Sequence, residues 1–223
     1  MNRFAAAGLA VFALTGTASA ADLIVDPPVP VIASSNYDWS GFYLGVMGGY
    51  GLGVSDAPAV WAPFTINDSG LLLGVTAGVN QQFDNLVLGL EADAAWTNIG
   101  GSVFEPGNGI TFTTTIQALA SLRARAGFAV DQALLFATGG LAGSVTQLGN
   151  DYSNTTAAAA SFGWTAGLGA EFAVTDSISL KAEYAYIDLG TATFDADALF
   201  VGSPATTVAT VLHTVKVGAN AHF

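Results

Sequence analysis

Long segments of this chain alternate apolar and polar residues with a period of two, and this alternation restricts the fold more than any other feature of the sequence. In the C-terminal segment one face carries Val215, Val217, Ala219, Ala221 and Phe223, and the other carries Thr214, Lys216, Gly218, Asn220 and His222. Residues 86–97 and 160–173 alternate in the same way. Successive side chains of a β-strand point to opposite faces, so the pattern predicts strands with one apolar and one polar face.

The composition predicts that much of the surface faces lipid. Apolar residues make up 52% of the 223 residues and charged residues only 10%, with a mean hydropathy of +0.52, whereas soluble domains carry about 25% charged residues. After the first twenty residues, no segment offers the roughly 20 consecutive apolar residues of a transmembrane helix. Closed β-barrels are the other structures that satisfy every backbone hydrogen bond within a bilayer, so we predict a membrane-spanning barrel.

Residues 1–20 have the three parts of a secretory signal peptide. Arg3 gives a cationic start, residues 4–14 form an apolar core, and Ala18-Ser19-Ala20 is a small-residue cleavage pattern. The apolar core is too short for a membrane anchor. We therefore predict a cleaved signal peptide, followed by a proline-rich periplasmic lead-in over residues 21–37.

Four aspartates and the C-terminus mark a repeat of hairpin length. The intervals from Asp38 through Asp84, Asp131 and Asp176 to Phe223 are 46, 47, 45 and 47 residues. The last three aspartates lie in short breaks typical of tight turns, while longer polar or glycine-rich stretches separate the other segment ends. Short turns at one end and long loops at the other are the pattern of outer-membrane barrels.

We therefore predict an all-β fold, an eight-stranded antiparallel up-and-down transmembrane β-barrel over residues 38–223. The predicted strands are 40–52, 68–82, 86–97, 111–129, 133–146, 160–173, 178–193 and 208–223. The predicted long loops are 53–67, 98–110, 147–159 and 194–207. Aromatic residues near the segment ends predict two interfacial girdles. The turn side has Trp39, Phe42, Phe83, Phe128, Phe172 and Phe223, and the loop side has Tyr50, Trp96, Phe112, Phe162 and Trp164.

The alternation places all four basic residues that follow the signal on the polar, inward face, together with only four acids. An eight-stranded barrel is just wide enough to be filled by side chains, and buried charges are tolerated when they are paired. We predict a lumen charge network that plugs the barrel, formed by Glu91, Asp93, Arg123, Arg125, Glu171, Lys181, Glu183 and Lys216, with Gln117, Asn80 and Thr214 beside it. The alternative is that these charges line a narrow hydrated pore.

The sequence offers little for catalysis, metals or cofactors. There is no Cys, and the only two His residues, His213 and His222, are predicted to point to opposite faces of one strand, too far apart to share a metal. We predict no enzyme and no cofactor. The acids assigned to loops, Asp68 among them, are predicted to be solvated, with divalent-cation bridges to lipopolysaccharide as a weaker alternative. With 17 acidic and 5 basic residues, nucleic acid is excluded as a partner.

Motifs along the whole predicted barrel carry a family resemblance. They are YDWSGFYLG (37–45), LGLEAD (88–93), SLRARAG (121–127), ATGGLA (137–142), GWTAGLGAE (163–171), KAEYAYIDLG (181–190), HTVKVG (213–218) and the terminal Phe223. In this order they resemble the small alphaproteobacterial outer-membrane β-barrel family, also called outer-membrane immunogenic or porin-family proteins. The resemblance implies an OmpA-like eight-stranded barrel in a Gram-negative outer membrane. It also implies that Phe223 is an assembly signal read by the barrel-assembly machinery.

The expected function is that of a structural barrel, which contributes to envelope integrity and presents acidic loops at the cell surface. Its expected partners are outer-membrane lipid and lipopolysaccharide. Two alternatives stay open. One is a narrow porin for small solutes, and the other is a loop-based adhesin or receptor that uses Trp61 and Phe64, because an exposed aromatic pair can mark a binding patch.

Overall fold

Eight antiparallel strands form one closed ring, in which each strand pairs with its sequence neighbours and the first pairs with the last. The computed structural model describes residues 37–57, 64–106, 109–152, 156–196 and 205–223. The strands are β1 (Gly41–Ala57), β2 (Phe64–Phe83), β3 (Leu86–Glu105), β4 (Ile110–Val130), β5 (Ala133–Asn150), β6 (Thr156–Thr175), β7 (Ile178–Phe194) and β8 (Thr206–His222). The predicted eight-stranded up-and-down barrel is confirmed. The described residues include no helix that is long and apolar enough to cross a membrane.

Two-residue turns close three hairpins at one end of the barrel. Phe83 pairs with Leu86, Val130 with Ala133 and Thr175 with Ile178, so that each turn consists of an aspartate followed by Asn, Gln or Ser. Asp84 and Asp131 adopt φ angles of 53° and 52°. Asp tolerates this left-handed backbone better than most residues do, which explains the aspartates of the first two turns.

We expect Asp131→Val to lower the free energy of unfolding by about 1 to 2 kcal/mol, because a β-branched side chain clashes with the backbone at positive φ. Urea titration of the detergent-solubilised barrel measures this loss. Asp176→Val is the matched control, since Asp176 occupies the third turn without a positive φ. Equal losses at the two turns would contradict the explanation.

The strands extend further toward the loop end than the sequence analysis predicted, with lengths of 17 to 21 residues. Strand residues occupy most of 53–67, 98–110 and 147–159, where the prediction of loops is wrong, whereas in 194–207 only Phe194, Thr206 and Thr207 belong to strands and residues 197–204 lie outside the described residues. Above the lipid-facing band the outward residues become polar, such as Thr65 and Asn67, while inward residues such as Ile66 and Leu148 are apolar and buried. The alternation continues with its polarity reversed, which the sequence analysis took for the end of a strand.

A band of exposed apolar side chains surrounds the barrel on the turn side. On β3 it runs from Leu86 to Trp96, a height of about 25 Å at about 3.4 Å per residue and about 40° of tilt, as expected for the hydrocarbon layer. Exposed aromatic residues mark both edges, namely Phe42, Phe83, Phe128, Phe172 and Phe223 on the turn side and Tyr50, Trp96, Phe162 and Trp164 on the loop side.

Two aromatic residues do not belong to the girdles to which they were assigned. Trp39 is fully buried, because the chain segment before β1 folds its side chain into the turn end of the barrel. Phe112 is partly buried against an apolar cluster at the loop end of the interior. Both residues lie close to strand ends, where alternation gives no reliable direction.

The barrel interior consists of layers. A turn-side cluster contains Trp39, Val87, Ala129, Leu134, Phe136 and Ala173. A middle cluster includes Met47, Leu72, Ile99, Ile116, Leu119 and Leu212, and a loop-side cluster includes Ala57, Ile66, Leu148, Phe194 and Val208. Because these three apolar clusters fill much of the interior, the interior is more apolar than the predicted polar plug. The eight charged residues that were predicted to form the plug occupy one layer between the turn-side and middle clusters.

Candidate functional site

Strand register brings the predicted charges together in one layer. Glu91 on β3 pairs with Arg123 on β4, Glu171 on β6 pairs with Lys181 on β7, and Glu183 on β7 pairs with Lys216 on β8. Cross-strand partners have adjacent side chains on the same face of the sheet. Two of these cross-strand neighbours, Glu91–Arg123 and Glu183–Lys216, also form ion pairs, whereas Glu171 and Lys181 form ion pairs with residues of other strands.

Arg123 lies at the centre of this layer. Its guanidinium forms ion pairs with Glu91 and Glu183, and a third with Asp93 at 2.9 Å. The side chain is 1% exposed. Arg123 thus contacts three carboxylates, one more than any other basic residue of this layer contacts.

Arg125 connects the layer to the opposite wall of the barrel. It forms an ion pair with Glu171, and its guanidinium carbon lies 3.9 Å from the centre of the Phe136 ring, a cation–π contact. Its Nη1 donates to the Tyr43 hydroxyl at 3.3 Å, and that hydroxyl donates to Glu91 at 2.7 Å. The Tyr43 ring lies against Gly78 of β2. It has room there because glycine has no side chain, and a Cβ atom at this position would overlap the ring.

The two lysines complete the charge network. Lys181 Nζ lies 2.7 Å from Glu91 and 3.7 Å from Glu183, and Lys216 Nζ lies 3.1 Å from Glu183 and 4.0 Å from Asp93. None of the eight side chains is more than 8% exposed. The structure therefore brings together all eight charged residues that the sequence analysis assigned to the lumen.

Five further residues join the network that sequence reasoning did not assign to it. Ser121 donates to Asp93 at 2.6 Å, and Asn220 donates to Glu171 at 2.6 Å. Ser179 also donates to Glu171, and His222 Nε2 lies 2.8 Å from its hydroxyl. The fifth residue is Tyr43. The alternating pattern indicates that the side chains of Tyr43 and His222 point inward, but it does not indicate which residues on other strands they contact.

Ser179, His222 and Glu171 are the residue types of a hydrolase triad, but their geometry differs from one. The same nitrogen, His222 Nε2, faces both the Ser179 hydroxyl and Glu171 at 3.5 Å, whereas a triad histidine uses one nitrogen for each partner. The Ser179 hydroxyl also donates to Glu171 and is fully buried. This arrangement holds Glu171 in place and leaves the serine inaccessible to a substrate.

The structure contradicts the prediction that Asp68 is a solvated loop residue. It was assigned to a loop as solvated charge, but it lies in β2, is 2% exposed, and points into the polar layer between the middle and loop-side clusters. Ser55 and Thr114 donate to its carboxylate, and Thr210 is 3.0 Å from Ser55. None of the described basic side chains forms an ion pair with it. In the described part of the chain, no group of three His, Asp or Glu residues is arranged to hold a metal ion.

The chain segment before β1 covers the turn end of the interior. The Trp39 backbone N–H donates to the Gln82 side chain at 2.8 Å, and the rings of Tyr37 and Trp39 are 4.7 Å apart, edge to face. Burial, together with the nearby carboxylates of Glu171 and Asp176, raises the pKa of the Tyr37 hydroxyl. Tyr37 therefore remains protonated at neutral pH.

Little empty space remains around the charge network. Between this layer and the middle cluster lies a cavity of about 20 Å³, lined by Met47, Asp93, Leu119, Arg123 and Lys216 among others. A cavity of this size has room for about one water molecule. Of the three predicted neighbours, Asn80 and Thr214 are buried in the interior, whereas Gln117 is exposed on the outside, because a β-bulge between Ile116 and Ala118 turns it outward.

The remaining predicted site residues lie elsewhere. Trp61 is outside the described residues, and Phe64 is the first residue of β2 rather than part of a loop. Phe223 follows β8 on the turn side, with its side chain 77% exposed and its backbone N–H donating to the Phe42 carbonyl at 2.9 Å. The C-terminal residue is thus fixed against β1 at the closure of the barrel.

Comparison with known proteins agrees with this architecture. The family model described as "Outer membrane protein beta-barrel domain" matches residues 5–223. The 31 kDa outer-membrane immunogenic protein of Brucella melitensis is 34% identical across 93% of this chain and 94% of its own length. The 22 kDa outer membrane protein of Rhizobium leguminosarum bv. viciae is 31% identical across 71% of this chain and 68% of its own length.

Among solved structures, Neisserial surface protein A is 15% identical, with a TM-score of 0.47 over 82% of this chain and 98% of that chain. The family match and the two named relatives cover most of the barrel described above. The chain therefore belongs to the outer-membrane β-barrel family that includes these immunogenic proteins, and it is a protein of the outer membrane.

Proposed function

We propose that this protein is a closed structural barrel that contributes to envelope integrity and presents acidic surface at its loop end. The observation that carries the proposal is the buried charge network, whose eight side chains are at most 8% exposed and leave a cavity of only about 20 Å³. A hydrated pore would expose these groups to water. Here each of the eight charged groups instead lies within ion-pair distance of an opposite charge in the protein.

The apolar clusters support a closed lumen. Leu72, Ile99, Ile116 and Leu212 of the middle cluster are 4% exposed or less, and Trp39 fills the turn end. A solute that entered from either end would meet an apolar layer before it reached the charges. Passage would require separation of ion pairs in a medium where unpaired charge costs several kcal/mol (about 3 to 5).

The distribution of charge supports a surface role. All the basic residues after the signal lie in the lumen, whereas acids such as Asp56, Asp151 and Asp195 are exposed toward the loop end. The outward surface is therefore acidic and without Lys or Arg. The proposed partners are outer-membrane lipid and lipopolysaccharide, with Phe223 as the proposed signal for the barrel-assembly machinery.

Deletion of the gene in its native host tests the structural role. We expect increased sensitivity to detergent and increased leakage of periplasmic protein, both restored by a plasmid copy. A matched copy with the exposed substitution Asp195→Ala should restore both as well. Slower uptake of small solutes without envelope weakening would contradict the proposal and favour the porin alternative.

A further inference from the structure

An apolar groove runs along the outside of the barrel across β2 to β6. It has a volume of about 410 Å³, and apolar atoms line almost all of it. Small residues form its floor and two large aromatic residues stand beside it, namely Ala94, Ala118, Ala120 and Gly143 for the floor and Trp96 and Phe162 for the sides. The groove is therefore lower than the neighbouring surface of the barrel, where Leu, Val and Phe side chains are exposed.

Two β-bulges lie at the loop-side end of this groove. On β3 the register shifts between Trp96 and Ile99, and on β4 it shifts between Ile116 and Ala118. Bulges often redirect a side chain at a functional position. Here the extra residue on β4 is Gln117, whose side chain is exposed next to Ala118 on the groove floor.

The position of the groove along the barrel axis identifies the membrane leaflet that it faces. Trp96 and Phe162 belong to the aromatic edge on the loop side of the apolar band, and the loops of such barrels face outward. The groove is continuous with the lipid-facing band and lies in its outer half. Lipopolysaccharide forms the outer leaflet of this membrane, so its acyl chains are the adjacent lipid.

We propose that the groove binds one acyl chain of lipopolysaccharide, with the Gln117 amide hydrogen-bonded to the carbonyl or hydroxyl group at the head end of that chain. The inference deepens the proposed association with lipopolysaccharide and does not depend on whether the lumen conducts.

Two features of the groove would favour the binding of an acyl chain there, namely its shape and the hydrogen bond offered by Gln117. Lipid tails are as apolar as the barrel wall, so close packing rather than the hydrophobic effect decides which chain stays bound. A groove with a floor of alanine and glycine gives a straight chain more contacts than a protruding surface does. An amide is also suited to this position because it both donates and accepts hydrogen bonds.

The test is a titration of delipidated, purified full-length barrel in mild detergent with rough lipopolysaccharide, followed by native mass spectrometry. We expect one bound lipopolysaccharide per barrel. Ala118→Leu combined with Ala120→Leu fills the groove and should weaken binding about tenfold. Gln117→Leu keeps the size of the side chain but removes the amide, and should weaken binding about fivefold.

Ala166→Leu is the matched control, because Ala166 is an exposed outward residue of β6 outside the groove. It should bind lipopolysaccharide like the unmodified barrel. Equal binding by the groove-filled variant and the unmodified barrel would overturn the proposal. So would equal weakening by Ala166→Leu, or equally tight binding of a phosphatidylethanolamine with chains of the same length. Heat-modifiable gel mobility verifies that each variant is folded.

Discussion

Replacement of both Arg123 and Arg125 by Ala should lower the free energy of unfolding by about 5 kcal/mol or more, the largest effect that we expect from any pair of substitutions. Removal of one partner of a buried ion pair typically costs about 3 to 5 kcal/mol. Here Glu91, Asp93, Glu171 and Glu183 would lose their guanidinium partners together. Urea titration and the temperature at which the folded gel band disappears both measure the loss.

The conservative double variant Arg123→Lys with Arg125→Lys controls for charge. It retains both positive charges but loses the forked guanidinium geometry, so its loss of stability should be clearly smaller. Asp195→Ala, at an exposed position after β7, should leave stability unchanged. Unaltered heat resistance of the double Ala variant would contradict the pairing described here.

Neutralisation of two buried acids should have opposite effects on stability. Glu91→Gln removes a charge that Arg123 and Lys181 both contact, and should lower the free energy of unfolding by about 3 kcal/mol. Asp68→Asn removes a buried charge whose described partners are hydroxyl groups. It should leave stability unchanged or raise it by about 1 kcal/mol, because an unpaired buried charge is costly.

Both variants should be measured by urea titration at pH 7.5. A loss of several kcal/mol (about 3) on Asp68→Asn at pH 7.5 would show that its carboxylate is stabilising, contrary to this account.

The charge network also ties strand register to the position of the barrel in lipid. A slip of one residue in a strand moves every side chain to the other face of the sheet. In β4 such a slip would turn Arg123 and Arg125 toward the hydrocarbon layer. The cross-strand ion pairs Glu91–Arg123 and Glu183–Lys216 therefore support a single register in two of the eight strand pairings.

Simple alternation was sufficient to predict the fold and the eight charged lumen residues. Each of them lies at least three residues inside a strand, where direction repeats every second residue. In a narrow barrel all inward charges meet, so Glu91 and Lys181, 90 residues apart in sequence, are brought into contact by ring closure alone. The identity of each pair required the strand register, which the sequence does not state.

The wrong predictions lie where regular alternation is interrupted. Gln117 follows the predicted inward series, but the bulge beside Ala118 turns it outward. Asp68 was placed at the edge of a loop because the outward residues around it are polar, although β2 continues past it to Phe64. Trp39 precedes β1, and its burial depends on a chain segment that folds back over the turn end.

Single-channel conductance of the refolded barrel in a planar bilayer tests the central claim, that the charge network closes the lumen. The unmodified protein should show no stable openings, and the double Ala variant of Arg123 and Arg125, at a urea concentration where it stays folded, should open channels. Stable openings of the unmodified barrel would contradict the closed lumen and identify the charged layer as the lining of a narrow pore.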